Sequence, residues 1–142
     1  MIRYALDTSV LVHWFAQTSD PDTEKALRLR EEHLAEAIEL IVLDQSLYEL
    51  IHLLKESAHF DQDLLASALA SLEFMHITVI PYSPEVLRRA AQIACGHDIS
   101  LYAACPVALG AHLRCQVITA DEMVFRKVAT LPWTLLLSDL RL

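Results

Sequence analysis

The chain reads as an α/β domain in three layers, α/β/α, with a mostly parallel central sheet. Three observations predict this. Short apolar runs with little polar alternation recur along the sequence, as strands buried on both faces do. Segments with apolar residues at helical spacing separate them. Two of the runs end directly at an acid, Asp7 and Asp121, where an open parallel sheet collects its reactive groups. A length of 142 residues suits one domain, residues 1–142, with one sizeable core.

Each element follows in turn. Arg3 to Leu6 is an apolar run ending at Asp7, and Thr8 or Ser9 is placed to cap a helix over Val10 to Ala16. The chain turns at Ser19-Asp20-Pro21-Asp22. Thr23 to Glu39 carries Ala26, Leu27, Leu34, Ala37 and Ile38 at near-helical spacing, with charges between them. Leu40 to Leu43 is a second strand. Two helices follow, one from Gln45 with Leu47, Leu50, Ile51 and Leu54 inward, the other over Asp61 to Phe74. Ile77 to Ile80 is a third strand stopped by Pro81, and Pro84 opens the next helix, which Gly96 is expected to end. A broadly apolar helix covers Ser100 to Leu113. Its Pro106 removes an amide donor, so this helix should kink or begin late. Strands Gln116 to Thr119 and Thr134 to Leu137 complete the set.

Composition limits the function. The net charge of −8 argues against a protein that coats nucleic acid through lysines and arginines, so any such contact is local. Two glycines cannot build a dinucleotide fingerprint or a phosphate-cradling loop. A hydrophobic content of 54% leaves apolar surface for a partner and points to a homodimer. The apolar run before Asp7 is too short for a secretory signal, and no stretch is long enough to span a membrane, so a cytoplasmic protein is expected. Cys95, Cys105 and Cys115, ten residues apart, fit no compact zinc motif and read as buried free thiols.

Most of the acidity is structural. Residues 1–71 hold 13 acids and 5 bases, largely on one solvated helix face, whereas residues 72–142 hold 6 of each. Asp7, Glu49 and Asp121 differ because each is embedded in apolar sequence. Converging carboxylates of this kind suit Mg2+ or Mn2+, which prefer oxygen ligands and retain waters. His13 and His52 lie one or two turns beyond these acids and read as helix histidines bonded to backbone or water. Trp14, Phe15 and Tyr48 read as core or interface residues, and Arg126 and Lys127 as a basic helix face or, alternatively, holders of substrate phosphate.

The order of these pieces resembles a known family. Tyr4-Ala5-Leu6-Asp7-Thr8-Ser9-Val10-Leu11-Val12 is similar to the opening of PIN domains, which include the toxins of VapBC-type toxin–antitoxin pairs. Leu47-Tyr48-Glu49-Leu50, Ile99-Ser100-Leu101-Tyr102 and Val117-Ile118-Thr119-Ala120-Asp121 match later parts of the same pattern. The resemblance implies an acidic pocket of Asp7, Glu49 and Asp121 that binds Mg2+ or Mn2+ and cuts RNA. It also implies an antitoxin-like partner. Thr8, Ser9 and Thr119 match its small hydroxyl positions, which hold a carboxylate or a water in place. One position departs: where the pattern expects a further aspartate, this chain has Ala103. Asp98 is the candidate substitute if its loop bends back toward the pocket; otherwise it reads as a capping or solvent-facing residue. Loss of that acid leaves one negative charge fewer for the metal and points to weak or absent cleavage. The alternative is a non-catalytic module that binds RNA or protein. A phosphoacceptor receiver domain fits less well, because its paired N-terminal acids and late lysine are missing.

Overall fold

The computed structural model describes residues 1–16 and 19–142. Five strands, β1 (Ile2–Leu6), β2 (Ile38–Leu43), β3 (Thr78–Ile80), β4 (Gln116–Thr119) and β5 (Thr134–Leu136), form one sheet in the order β3-β2-β1-β4-β5. Every pairing is parallel, with Tyr4 opposite Leu40 and Leu6 opposite Ile118. The helices are α1 (Thr8–Phe15), α2 (Pro21–Leu34), α3 (Asp44–Glu56), α4 (Gln62–Met75), α5 (Pro84–His97), α6 (Leu101–Leu113) and α7 (Glu122–Val128). A 3-10 turn, Leu137–Asp139, follows β5.

The strand periodicity of two sorts the core into two clusters. Leu6, Leu40, Val42 and Ile118 pack with Trp14 of α1, Leu29 of α2, Leu50 and Leu54 of α3 and Leu72 of α4. Their neighbours Ala5, Ile41, Leu43 and Val117 pack on the other face with Val86 and Ile93 of α5, Leu109 of α6 and Val128 of α7. Both faces are thus apolar, giving the three layers that the unalternating strands predict. Trp14 is a core residue whose indole donates to the Ala26 carbonyl at 2.8 Å. Phe15 packs partly buried against the same cluster, whereas Tyr48 is 79% exposed. Among the described residues, no single helix is long and apolar enough to cross a membrane.

Several boundaries differ from the sequence reading. The second long helix stops at Leu34, and Ile38 and Glu39 belong to β2, because pairing with Ile2 and Arg3 of β1 overrides their helical spacing. Helix α1 starts at Thr8 with Asp7 in the cap position, so Thr8 and Ser9 lie inside the helix instead of capping it, and no side-chain cap bond forms. Gly96 does not end α5. That helix runs to His97 and closes at Asp98 in the left-handed region, φ 54°. With so few glycines, α4 and α6 likewise close on left-handed His76 and Arg114.

Helix α6 neither starts late nor breaks at Pro106. Ser100 caps it by accepting from the Ala103 amide at 3.1 Å, and the run from Ala104 to Gly110 is buried. Packing around this segment offsets the lost bond, which costs about 3 kcal/mol in an unsupported helix interior. Gly110 lets α6 lie close against β4: a Cβ there would overlap the Val117 side chain. The cysteines are free, with Cys105 buried, Cys115 partly buried and Cys95 exposed, so the expectation of burial fails for Cys95 on the outer side of α5.

Candidate metal centre and active site

The sheet order fixes where chemistry can collect. The chain leaves β1 for β2 and β3 on one side, then returns to β4 and β5 on the other. The carboxyl ends of β1 and β4 therefore open a crevice at the point of reversal. Asp7 follows β1 with its amide donating to the Ile118 carbonyl at 3.0 Å, and Asp121 follows β4. Glu49 lies on α3, which springs from β2 next to β1.

Asp7 is only 9% exposed. Its Oδ2 accepts the Ser9 hydroxyl at 2.7 Å and the Thr119 hydroxyl at 2.9 Å. The Ala120 amide donates to Ser9 Oγ at 2.9 Å, and the Asp121 amide donates to Thr119 Oγ1 at 3.1 Å. Each hydroxyl therefore accepts from the β4–α7 turn and spends its one proton on Asp7, tying the two acid-bearing loops together. Burial pushes the Asp7 carboxyl above its ordinary range. The Ser9 and Thr119 bonds and the Thr8 amide oppose that rise, and the charge of Asp121 adds to it.

Glu49 is also pushed up, first by burial and then by the Asp7 charge, against the Gln45 bond and the field of His52. Gln45 Nε2 donates to Glu49 Oε2 at 2.8 Å, which leaves Gln45 Oε1 buried without a partner. Their four-residue separation on a helix is the signal that would have found Gln45 from sequence. Asp121 uses Oδ1 to cap α7, accepting the Met123 amide at 2.9 Å and the Val124 amide at 3.1 Å. These bonds leave Glu49 Oε1 and Asp121 Oδ2 as oxygen donors. The set fits a hard divalent cation, which takes carboxylate oxygen and keeps water. It is an open set: ligand atoms of Asp7, Glu49 and Asp121 do not all lie within 4.8 Å of one another.

The remaining candidates divide. Ala103 lines a groove of about 240 Å³ together with Ser100, Asp121 and Lys127, so this position does face the acid after β4. Asp98 lines the same groove, but its fully exposed carboxylate lies 3.6 Å from Lys127. Lys127 Nζ also donates to the Asp98 carbonyl at 2.9 Å, and His97 Nδ1 is 2.9 Å from the Lys127 carbonyl. Lys127 thus braces the end of α5. Arg126 is exposed, with its guanidinium 3.6 Å from the Glu122 carboxylate. His13 sits with Nδ1 2.8 Å from Thr23 Oγ1, outside the acidic crevice. A larger cavity, about 610 Å³, lies at the opposite edge of the sheet, lined by Ile38, Glu39 and Thr78, and holds none of the three acids.

No curated protein matches the chain. Among solved structures, FitAcB from Neisseria gonorrhoeae is similar with a TM-score of 0.69 and 16% identity, covering 96% of this chain and 99% of that one. A toxin–antitoxin complex from Klebsiella pneumoniae gives 0.67 at 17% identity, covering 93% and 95%. VapC20 of Mycobacterium tuberculosis, described as a sarcin-ricin loop cleaving toxin, gives 0.67 at 17% identity, covering 87% and 93%. The model of the PIN domain family matches residues 4–131, and the chain belongs to that family.

Proposed function

We propose that the chain is a divalent-metal-dependent, RNA-cleaving protein of the toxin type that works with three carboxylates, Asp7, Glu49 and Asp121. The observation that carries this reading is the environment of Asp7. A carboxylate nine-tenths buried, accepting two hydroxyls and facing two further acids, carries a desolvation cost on its charged form that a bound cation would offset. When bound there, Mg2+ or Mn2+ would activate water and neutralise charge on a phosphodiester.

The chain's own residues prepare the site. Ser9 and Thr119 orient Asp7 and oppose the protonation that burial favours, with Thr8 contributing its amide. Gln45 fixes one oxygen of Glu49, and α7 fixes one oxygen of Asp121. Arg126, exposed on the first turns beyond Asp121, is the side chain we assign to substrate phosphate; Lys127 and Asp98 serve the frame instead. Ala103 leaves the site one carboxylate short of the pattern it resembles, so metal binding and cleavage are weak. For partners, this reading includes an antitoxin-like protein and a second copy of the chain. Exposed Tyr82, Leu87, Leu101 and Tyr102 around an apolar cavity of about 200 Å³ support the homodimer.

A non-catalytic binding module is the second reading, favoured by the open spacing of the three acids and by the Ala103 side of the groove. One experiment separates the two: cleavage of single-stranded RNA in Mn2+ by the wild type, Asp7→Asn and Ala103→Asp. Slow cleavage abolished by Asp7→Asn and accelerated by Ala103→Asp supports the nuclease. RNA or protein binding with no cleavage above the Asp7→Asn background in either of the other two proteins supports the module.

A further inference from the structure

We propose that His13, Asp20 and Asp22 form a separate site for a Zn2+-class divalent ion that clamps the junction between α1 and α2. His13 lies in the last turn of α1, Asp20 is the cap residue of α2, and Asp22 is in its first turn. One ligand atom from each lies within 4.8 Å of the other two. Zinc bonds to nitrogen and oxygen run about 2.0–2.2 Å, so ligands sharing one ion stand roughly 3–3.5 Å apart. Side-chain rotation on the scale of one ångström closes the set.

A second observation concerns the imidazole. His13 Nδ1 is 2.8 Å from the hydroxyl of Thr23, a residue only 4% exposed. A metal-binding histidine commonly gives its other ring N–H to a fixed acceptor, which selects the tautomer and aims the free lone pair. In the proposed site Thr23 takes that acceptor's part at Nδ1 and Nε2 is the ligand atom. The third observation is electrostatic. His13 and Asp22 form no direct ion pair, and the Asp22 carboxylate accepts no hydrogen bond and meets no lysine or arginine among the described residues. A divalent cation would supply the positive charge that the Asp22 carboxylate lacks among the described side chains.

The donors are one imidazole and two carboxylates with no thiolate, a set that suits Zn2+, Co2+ or Ni2+ and leaves room for water. The role is structural. The ion would join the end of the eight-residue α1 to the start of α2, holding the helix whose other end carries Ser9.

The test uses the full chain carrying Asp7→Asn and Asp121→Asn, so that the strand-end acids do not contribute and their failure to bind metal is a separate result. Zn2+ titration by calorimetry should show one equivalent bound, and Co2+ should give a visible spectrum without a thiolate charge-transfer band. Adding His13→Gln or Asp22→Asn should weaken Zn2+ binding at least about tenfold. Zn2+ should raise Tm in the parent and not in these variants. Asp22→Asn, on a half-buried helix start, carries the result if His13→Gln does not fold. The proposal is overturned by no Zn2+ binding, by binding unchanged in the folded variants, or by a Co2+ thiolate band.

Discussion

Along β1, α1 and the end of β4, the polar groups gathered around Asp7 are matched to one another: two hydroxyls, two amides and one carboxylate oxygen. Across the groove, at the start of α6, the residue is Ala103, and the acid on that side, Asp98, turns an exposed carboxylate toward Lys127. One wall concentrates charge that is costly to bury. The other offers none. The contrast sets a hydrogen-bonded wall around Asp7 against a wall with Ala103 at its centre, so the two can be tested apart.

The largest expected effect is on the braced wall. Asp7→Asn should reduce Mn2+ affinity and RNA cleavage by about a hundredfold or more, because a ligand and the position of the attacking water are lost together. Binding isotherms and single-turnover cleavage measure this; wild-type values in the variant would break the comparison. Next come Ser9→Ala and Thr119→Ala. Each removes a hydroxyl bond to a buried carboxylate and should cost about 1–3 kcal/mol at neutral pH in denaturant unfolding. The double variant should fall short of the sum, since both hydroxyls serve one oxygen.

The pH dependence sharpens the same point. Burial raises the Asp7 carboxyl above its ordinary value of 3.8, so the folded chain holds this proton more tightly than the unfolded chain does. Its contribution to stability therefore falls as pH rises through the window from that ordinary value to the raised one. Without metal, Asp7→Asn should raise Tm at neutral pH, and the gain should shrink toward pH 4 or so, measured by thermal unfolding across pH. A gain that grows on acidification would contradict the assignment. The smallest effects belong to the open wall. Asp98→Asn and Lys127→Ala should change stability by less than about 1 kcal/mol and leave Mn2+ binding alone, because an exposed ion pair contributes little.

Much of this architecture is legible in the sequence because strands that are apolar on both faces leave few alternatives. Asp7 and Asp121 stand out as acids directly behind such strands, and Glu49 as an acid in an apolar helix. The helix ends are not legible. His76, Asp98 and Arg114 adopt left-handed backbone at the ends of α4, α5 and α6 with no glycine to announce it. Ile38 and Glu39 satisfy helical spacing yet join β2, since only the partner strand decides. The pairings of His13 with Thr23 and of Lys127 with Asp98, 29 residues apart, depend on how helices pack, which local pattern does not encode.

The most direct test of the central claim is Mn2+ titration by calorimetry of the wild type, Asp7→Asn and Ala103→Asp, each as the full chain. We expect weak binding at one equivalent in the wild type, loss of that equivalent in Asp7→Asn, and affinity raised at least about tenfold in Ala103→Asp as a further carboxylate enters the groove beside Asp121. Binding that survives Asp7→Asn in a chain also carrying Asp22→Asn, or an Ala103→Asp protein that binds no better than the wild type, would contradict it.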